Sequence, residues 1–210
     1  RRVSDAAASD TPADRGPTRS VVRPAGPTLV ELATVLALAV GVREPTPPQA
    51  RTFADSPTST SKMRRWTAAG GNIGSVTAYV LASDRADGPI GGAADESGPL
   101  TPGVHAYIES DHTLALIGPP AEIPDDAGVR LVLTGNVDKV ARKYLSFALR
   151  IAIQDCGCSL EVVRLVARCL DLPLRTRARW DERELAAAIG TDPTREPVFA
   201  VIDLGGNRAL

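Results

Sequence analysis

Aromatic residues are scarce: two Trp, three Tyr and three Phe make up 4% of the 210-residue chain. So few ring faces exclude a base-stacking platform and leave the core to Ala, Leu, Val and Ile. A charge excess is also lacking. Lys+Arg number 24 against Asp+Glu 25, a formal net charge of -1, so no global field attracts nucleic acid or an anionic membrane. No apolar run reaches the roughly 18 residues of a membrane span, and the N-terminus lacks a charged-then-apolar signal layout. A soluble, cytoplasmic chain is expected, with no nucleic-acid or membrane partner. The three cysteines, Cys156, Cys158 and Cys169, cluster in one helix-like stretch, a poor disulfide framework that suits a reducing compartment. His105 and His112 are the only histidines and Cys156-x-Cys158 has no second ligand pair, so no metal site is expected. The chain opens on Arg1-Arg2 and has one methionine, Met63, the expectation for an excised or trimmed domain.

What is present changes character along the chain. Residues 1–27 are rich in Ala, Ser, Asp, Pro and Arg without apolar period, a composition expected to be mobile alone. The domain proper is expected over 28–210. Thr28-x-x-Glu31 reads as a capping box ahead of Leu29, Leu32, Leu36 and Val40, which predicts a helix to about Gly41. A Pro/Thr/Ser-rich loop follows from Arg43 to Met63, long enough for a lid. Strands are predicted at Ser75–Ala82, Val104–Ser110, Thr113–Ile117, Val129–Leu133, Leu174–Trp180 and Pro197–Leu204. Val137 to Leu170 has helical spacing, with a break expected near Tyr144 or Gly157, and Asp181-x-x-Glu184 caps a short helix ending near Gly190. Strands and helices mix without regular βαβ alternation, so the fold class is α+β with a mostly antiparallel sheet and a long core helix.

Three constellations could carry chemistry. Gly70-Gly71-Asn72, just before a strand, lets main chain approach a flat or anionic ligand, and Asn72 adds a donor and an acceptor. A plain hairpin turn is the alternative. Lys143 beside Tyr144 is an amine–phenol pair of the kind used for proton transfer. Consecutive helix residues point about 100° apart, so both can face one cleft only near a helix start or kink; otherwise they are a solvated Arg142-Lys143 pair beside one core Tyr. Arg19, Ser20, Arg23 and Arg208 could grip a phosphate, guanidinium by bidentate hydrogen bonds and hydroxyl by one more, although singly each is an ordinary surface residue. The Arg175/Arg177/Arg179 stripe reads as one solvated strand face, with an acidic partner as the alternative.

Taken in order, these pieces resemble the nitroreductase superfamily, in particular the SagB-type azoline dehydrogenases and the oxidase domains of nonribosomal synthetases. The resembling segments are PTLVELATVLALAVGV, RRWTAAGGNIGSVTAYVLA, GVHAYIESDHTLALI, ARKYLSFALRIAIQDCG and EPVFAVIDLG, spanning about Pro27 to Gly205. The resemblance implies an FMN-binding α+β fold, a homodimer with flavin in the subunit interface, and a modified peptide substrate, carrier- or leader-bound, with a cyclodehydratase or synthetase as partner. It assigns Gly70, Gly71 and Asn72 to the isoalloxazine, Arg19, Ser20, Arg23 and Arg208 to the phosphate, and Lys143 and Tyr144 to catalysis. Gly157 matches a small residue used for close packing.

The chain departs from the family where Ala68-Ala69 replace Pro-Ser ahead of Gly-Gly, losing a hydroxyl that could bond the flavin edge, and where His105 takes an aromatic position. The implied function is FMN-dependent oxidation of peptide thiazoline or oxazoline to the azole. The alternatives are a flavin-free scaffold for a cyclodehydratase, kept open by Ala69, and a general flavin nitroreductase.

Overall fold

The computed structural model describes residues 26–44, 64–83, 100–123 and 128–206. Helix α1 (Leu29–Ala39) starts where the capping box requires: Glu31 N–H donates to Thr28 Oγ1 at 3.2 Å and Thr28 N–H donates to Glu31 Oε2 at 2.8 Å. A short strand β1 (Val42–Glu44) then pairs antiparallel with β2 (Arg64–Arg65). The sequence shows Arg43 only as the start of a loop, because a two- or three-residue strand has no readable period. Residues 45–63, the body of that expected loop, lie outside the described residues, as do residues 1–25 of the expected N-terminal segment.

Among the described residues six strands form the main sheet: β3 (Val76–Ala82), β4 (Gly103–Ile108), β5 (Thr113–Gly118), β6 (Val129–Gly135), β7 (Leu174–Thr176) and β8 (Val198–Leu204). Their order is β5-β4-β3-β6-β8-β7 and every pairing is antiparallel. The central strands read as near-continuous apolar runs because both their faces are covered. Alternate residues point to opposite sides. Ala78, Val80, Leu131, Leu133 and Ile202 pack with Leu32, Val35 and Leu36 of α1 and with Cys156, Val163 and Ala167 of the long helix. Tyr79, Leu81, Val132 and Val201 pack on the other side with Leu185 and Ile189 of helix α4 (Glu182–Ile189). Burial of such aliphatic side chains stabilises by roughly 1.5–3 kcal/mol each.

The arginine stripe is corrected. Strand β7 ends at Thr176, short of the expected Trp180, because Arg177 turns inward to Asp203 of β8. Arg130 Nε donates to the other Asp203 oxygen at 2.9 Å, so two guanidiniums satisfy one buried carboxylate. Arg175 and Arg179 are exposed.

The helical stretch from Val137 to Cys169 runs 33 residues with one interruption. Helix α2 (Val137–Tyr144) begins on Asn136, whose side chain accepts from Lys139 N–H, and ends where Leu145 takes φ 47°, ψ -122°. A single 3-10 turn, Leu145–Phe147, leads into α3 (Ala148–Cys169). Of the two positions offered for a break, the one at Tyr144 is where it forms. At Gly157 α3 is continuous and an added Cβ would meet nothing within 4 Å, so the close packing assigned to this glycine has no counterpart among the described residues. No helix among the described residues is long and apolar enough to cross a membrane.

Candidate functional site

The glycine-rich turn folds as a 3-10 turn, Gly70–Asn72, in front of β3. Gly71, Asn72 and Gly74 have φ of 60°, 56° and 70°. A left-handed backbone suits glycine and is tolerated by asparagine, which is why this composition takes this shape.

Both flanks of the turn are tied to the helical stretch. From α3, Asp155 accepts from Gly70 N–H through Oδ1 and from Ser75 Oγ through Oδ2, both at 2.6 Å. From α2, Lys139 Nζ donates to Gly74 O at 2.8 Å, and Asn136 N–H donates to Ser75 O at 2.7 Å. Asp155 is 5% exposed and Ser75 is fully buried. Asp155, Ser75 and Lys139 were not singled out by sequence reasoning. The available signal was a carboxylate inside the buried stripe Ala152, Asp155, Cys156, Ser159 and Val163 of α3.

The turn meets the amine–phenol pair. A Cβ built on Gly71 would lie 2.5 Å from Lys143 Nζ and 2.6 Å from Tyr144 Oη. Two consecutive residues thus converge on one point, as only a helix end permits, and the Leu145 kink supplies that end. Lys143 Nζ lies 5.2 Å from the Tyr144 ring centroid, within cation–π range. Lys143 is exposed and Tyr144 half-buried, so the pair borders solvent-accessible space. Of the sequence-predicted residues, Gly70, Gly71, Asn72, Lys143 and Tyr144 therefore form one cluster. Arg19, Ser20, Arg23 and Arg208 lie outside the described residues.

A second layer surrounds the cluster. Arg65 donates to Val40 O and to Glu109 Oε2, each at 2.7 Å, while Lys139 Nζ stands 3.8 Å from Glu109 Oε1. The β3–β4 ladder runs only from Tyr79↔Ala106 to Ala82↔Gly103. Beyond it a slot of about 220 Å³ opens between the strands, lined among others by Val76, Ala78, Tyr107, Glu109 and Lys139.

The other reactive groups are placed differently. Burial, and then the charge of Asp155, push the Cys156 thiol up to about 12, so it is no nucleophile near neutral pH. His105 is buried in β4 with Nε2 at 2.8 Å from Thr101 O, and His112 sits between Tyr107 Oη and Val42 O. Among the described residues no three His, Cys, Asp or Glu side chains are grouped to hold a metal ion.

Neither a family model nor a curated protein matches the sequence. Solved structures do match. A protein of Anabaena variabilis described as a nitroreductase superposes with TM-score 0.63 at 17% identity, over 83% of this chain and 34% of that one. A chain of the E. coli microcin synthetase McbBCD complex, with truncated pro-MccB17 bound, gives TM-score 0.62 at 16% identity, over 87% and 65%. The fold is that of the nitroreductases. A Ralstonia eutropha protein so described gives TM-score 0.59 at 15% identity, over 90% and 80%. The chain thus spans about a third of the Anabaena nitroreductase and just under two thirds of the microcin synthetase chain.

Proposed function

We propose that this nitroreductase-like chain is an FMN-dependent oxidoreductase that converts thiazoline or oxazoline rings in a modified peptide to the aromatic azoles. The observation that carries the proposal is the meeting, at Gly71, of a left-handed glycine backbone with one ammonium and one phenol. The residues fit the cofactor. Asn72 offers a donor and an acceptor and Lys143 a positive charge for ring carbonyls, while Gly70 and Gly71 let the turn pack closely, with Ile151 against Gly70 and with Lys143 and Tyr144 against Gly71. Arg19, Ser20, Arg23 and Arg208 are assigned to the phosphate end.

Bound FMN supplies a two-electron acceptor that takes up hydride. The chain supplies orientation and proton transfer. Tyr144 as the phenolate, with Lys143 as the neighbouring cation, or Lys143 itself as the neutral amine, would accept the Cα proton of the azoline while the adjacent carbon gives up hydride, so the ring loses a proton and a hydride and becomes aromatic. Dioxygen serves as the final oxidant. Fixing both side chains against the turn keeps the proton acceptor near the reacting carbon.

The similarity to a microcin synthetase chain solved with a peptide precursor supports a peptide substrate and a cyclodehydratase or synthetase partner. A homodimer is part of the same proposal. Phe147, Leu149 and Ile153 are 62%, 50% and 50% exposed just after the catalytic pair, and bare Gly157 continues their stripe on α3. A cytoplasmic location completes it.

The test is to purify the chain, load FMN, and follow an azoline peptide by mass. Yellow protein and loss of two hydrogens from the peptide are expected. Colourless protein that takes up no FMN would instead identify a scaffold, and nitroaromatic reduction with no azole formation would identify a general nitroreductase.

A further inference from the structure

The glycine turn does not hold its own shape. Three left-handed residues within five leave it few bonds of its own: Asn72 N–H reaches Ala69 O at 2.9 Å and Ile73 N–H reaches Gly70 O at 3.4 Å. Apart from the main-chain bond from Asn136 N–H to Ser75 O, the long-range ties come from side chains, and one of them spans the turn. Asp155 uses its two oxygens separately, one on Gly70 at the entrance and one on Ser75 at the exit. We infer that Asp155 is a positioning residue: its carboxylate, fixed on α3, keeps the turn in the shape that presents Gly71 to Lys143 and Tyr144. Its flavin arm rests on the functional reading above; its structural arm does not.

Several observations converge on this role. Asp155 stands in the aliphatic stripe of α3, where a carboxylate is tolerated only when hydrogen-bonded, so it is poorly placed for packing alone. Ile151, one helical turn earlier, touches the same glycine, and a Cβ on Gly70 would clash with its side chain. The turn therefore presses on α3 at two consecutive levels. A countercharge is close at hand. Arg65 is 96% buried by side chain, and its Nε and Nη2 have no partner among the described residues. It lines, together with Asp155 and Ser75, one cavity of about 10 Å³. The catalytic pair and Asp155 also belong to one helical stretch, so a carboxylate that fixes the turn to α3 fixes it relative to Lys143 and Tyr144 as well.

Chemistry separates this role from bulk packing. An Asn at 155 can still accept from Gly70 N–H through Oδ1 and can donate to Ser75 Oγ through its amide, keeping both ties without charge. Alanine keeps neither.

The test compares wild type, Asp155→Asn, Asp155→Ala and Ser75→Ala by amide hydrogen exchange at Gly70 and by FMN affinity from fluorescence quenching, with circular dichroism reporting the fold. Asp155→Ala, which loses both hydrogen bonds, is expected to speed Gly70 exchange and weaken FMN binding at least ~10-fold each. Asp155→Asn is expected within ~3-fold of wild type and Ser75→Ala between the two, as the hydrogen-bond counts require. Folded Asp155→Ala with wild-type exchange and wild-type affinity would overturn the inference, as would Asp155→Asn as poor as Asp155→Ala. Should Asp155→Ala not fold, unchanged exchange and affinity in Ser75→Ala together would overturn it. If wild type takes up no FMN the functional reading fails, and Gly70 exchange alone decides the role of Asp155.

Discussion

Gly71 and Tyr144 are in contact where any side chain on Gly71 would collide: its Cβ would lie 2.6 Å from the phenol oxygen. The glycine is required twice, once by that contact and once by its φ of 60°. Gly71→Ala is therefore expected to displace Lys143 and Tyr144. Stability should fall by about 1 kcal/mol from backbone strain, while kcat/KM falls by a larger factor, ~100-fold for misplaced catalytic groups. Thermal unfolding and steady-state kinetics on the same sample check both.

Leu145 carries the break that brings the pair together. A leucine at φ 47°, ψ -122° and 76% exposed gains little packing to offset its strain. Leu145→Gly is expected to raise stability by about 1 kcal/mol, whereas leucine to glycine at an ordinary exposed helical site lowers it by a similar amount. The sign of the change in urea midpoint decides.

This kink also marks how far the sequence could be read. Capping boxes, apolar periods and turn glycines are local, so α1, the β4–β5 hairpin and the start and end of α4 follow from neighbours in the chain. The Lys143-Tyr144 and Gly70-Gly71-Asn72 motifs were visible for the same reason. Their meeting follows only from the resemblance, which puts both at one flavin, because no local pattern states that residues 71 and 144 touch. Asp155 was hidden because its partners lie 85 and 80 residues away. For Arg177, strand alternation does not reveal that the acidic group it meets is Asp203 of the same sheet.

Alkaline pH should loosen the core. Burial and then the charge of Asp155 push Cys156 from 9.0 up to about 12, and burial, then Glu109 and Asp111, push Tyr107 from 10.0 up to about 12. Tyr79 is raised by burial and then by Glu196, which accepts its hydroxyl. These acids hold their protons longer folded than unfolded, so the stability they contribute is complete below pH 9.0 and is lost as pH rises toward 12. The urea midpoint should be level from neutral pH to 9.0 and then fall. In Cys156→Ala the fall should begin nearer 10.0, where the tyrosines take over.

The exposed stripe on α3 is expected to bury against a second copy. Ile153→Arg should leave the circular dichroism spectrum unchanged, since Ile153 is half exposed, while shifting sedimentation from dimer to monomer. A wild-type chain that sediments as a monomer at micromolar concentration would remove the homodimer from the proposal.

The central claim is that one amine and one phenol beside the glycine turn carry the proton step. Its most direct measurement is azole formation from an azoline peptide by FMN-loaded Tyr144→Phe and Lys143→Ala, with flavin occupancy checked by absorbance. At least one variant is expected to keep its flavin and lose ~100-fold or more in rate, the scale of a general base. Wild-type rates in both fully loaded variants would contradict the assignment.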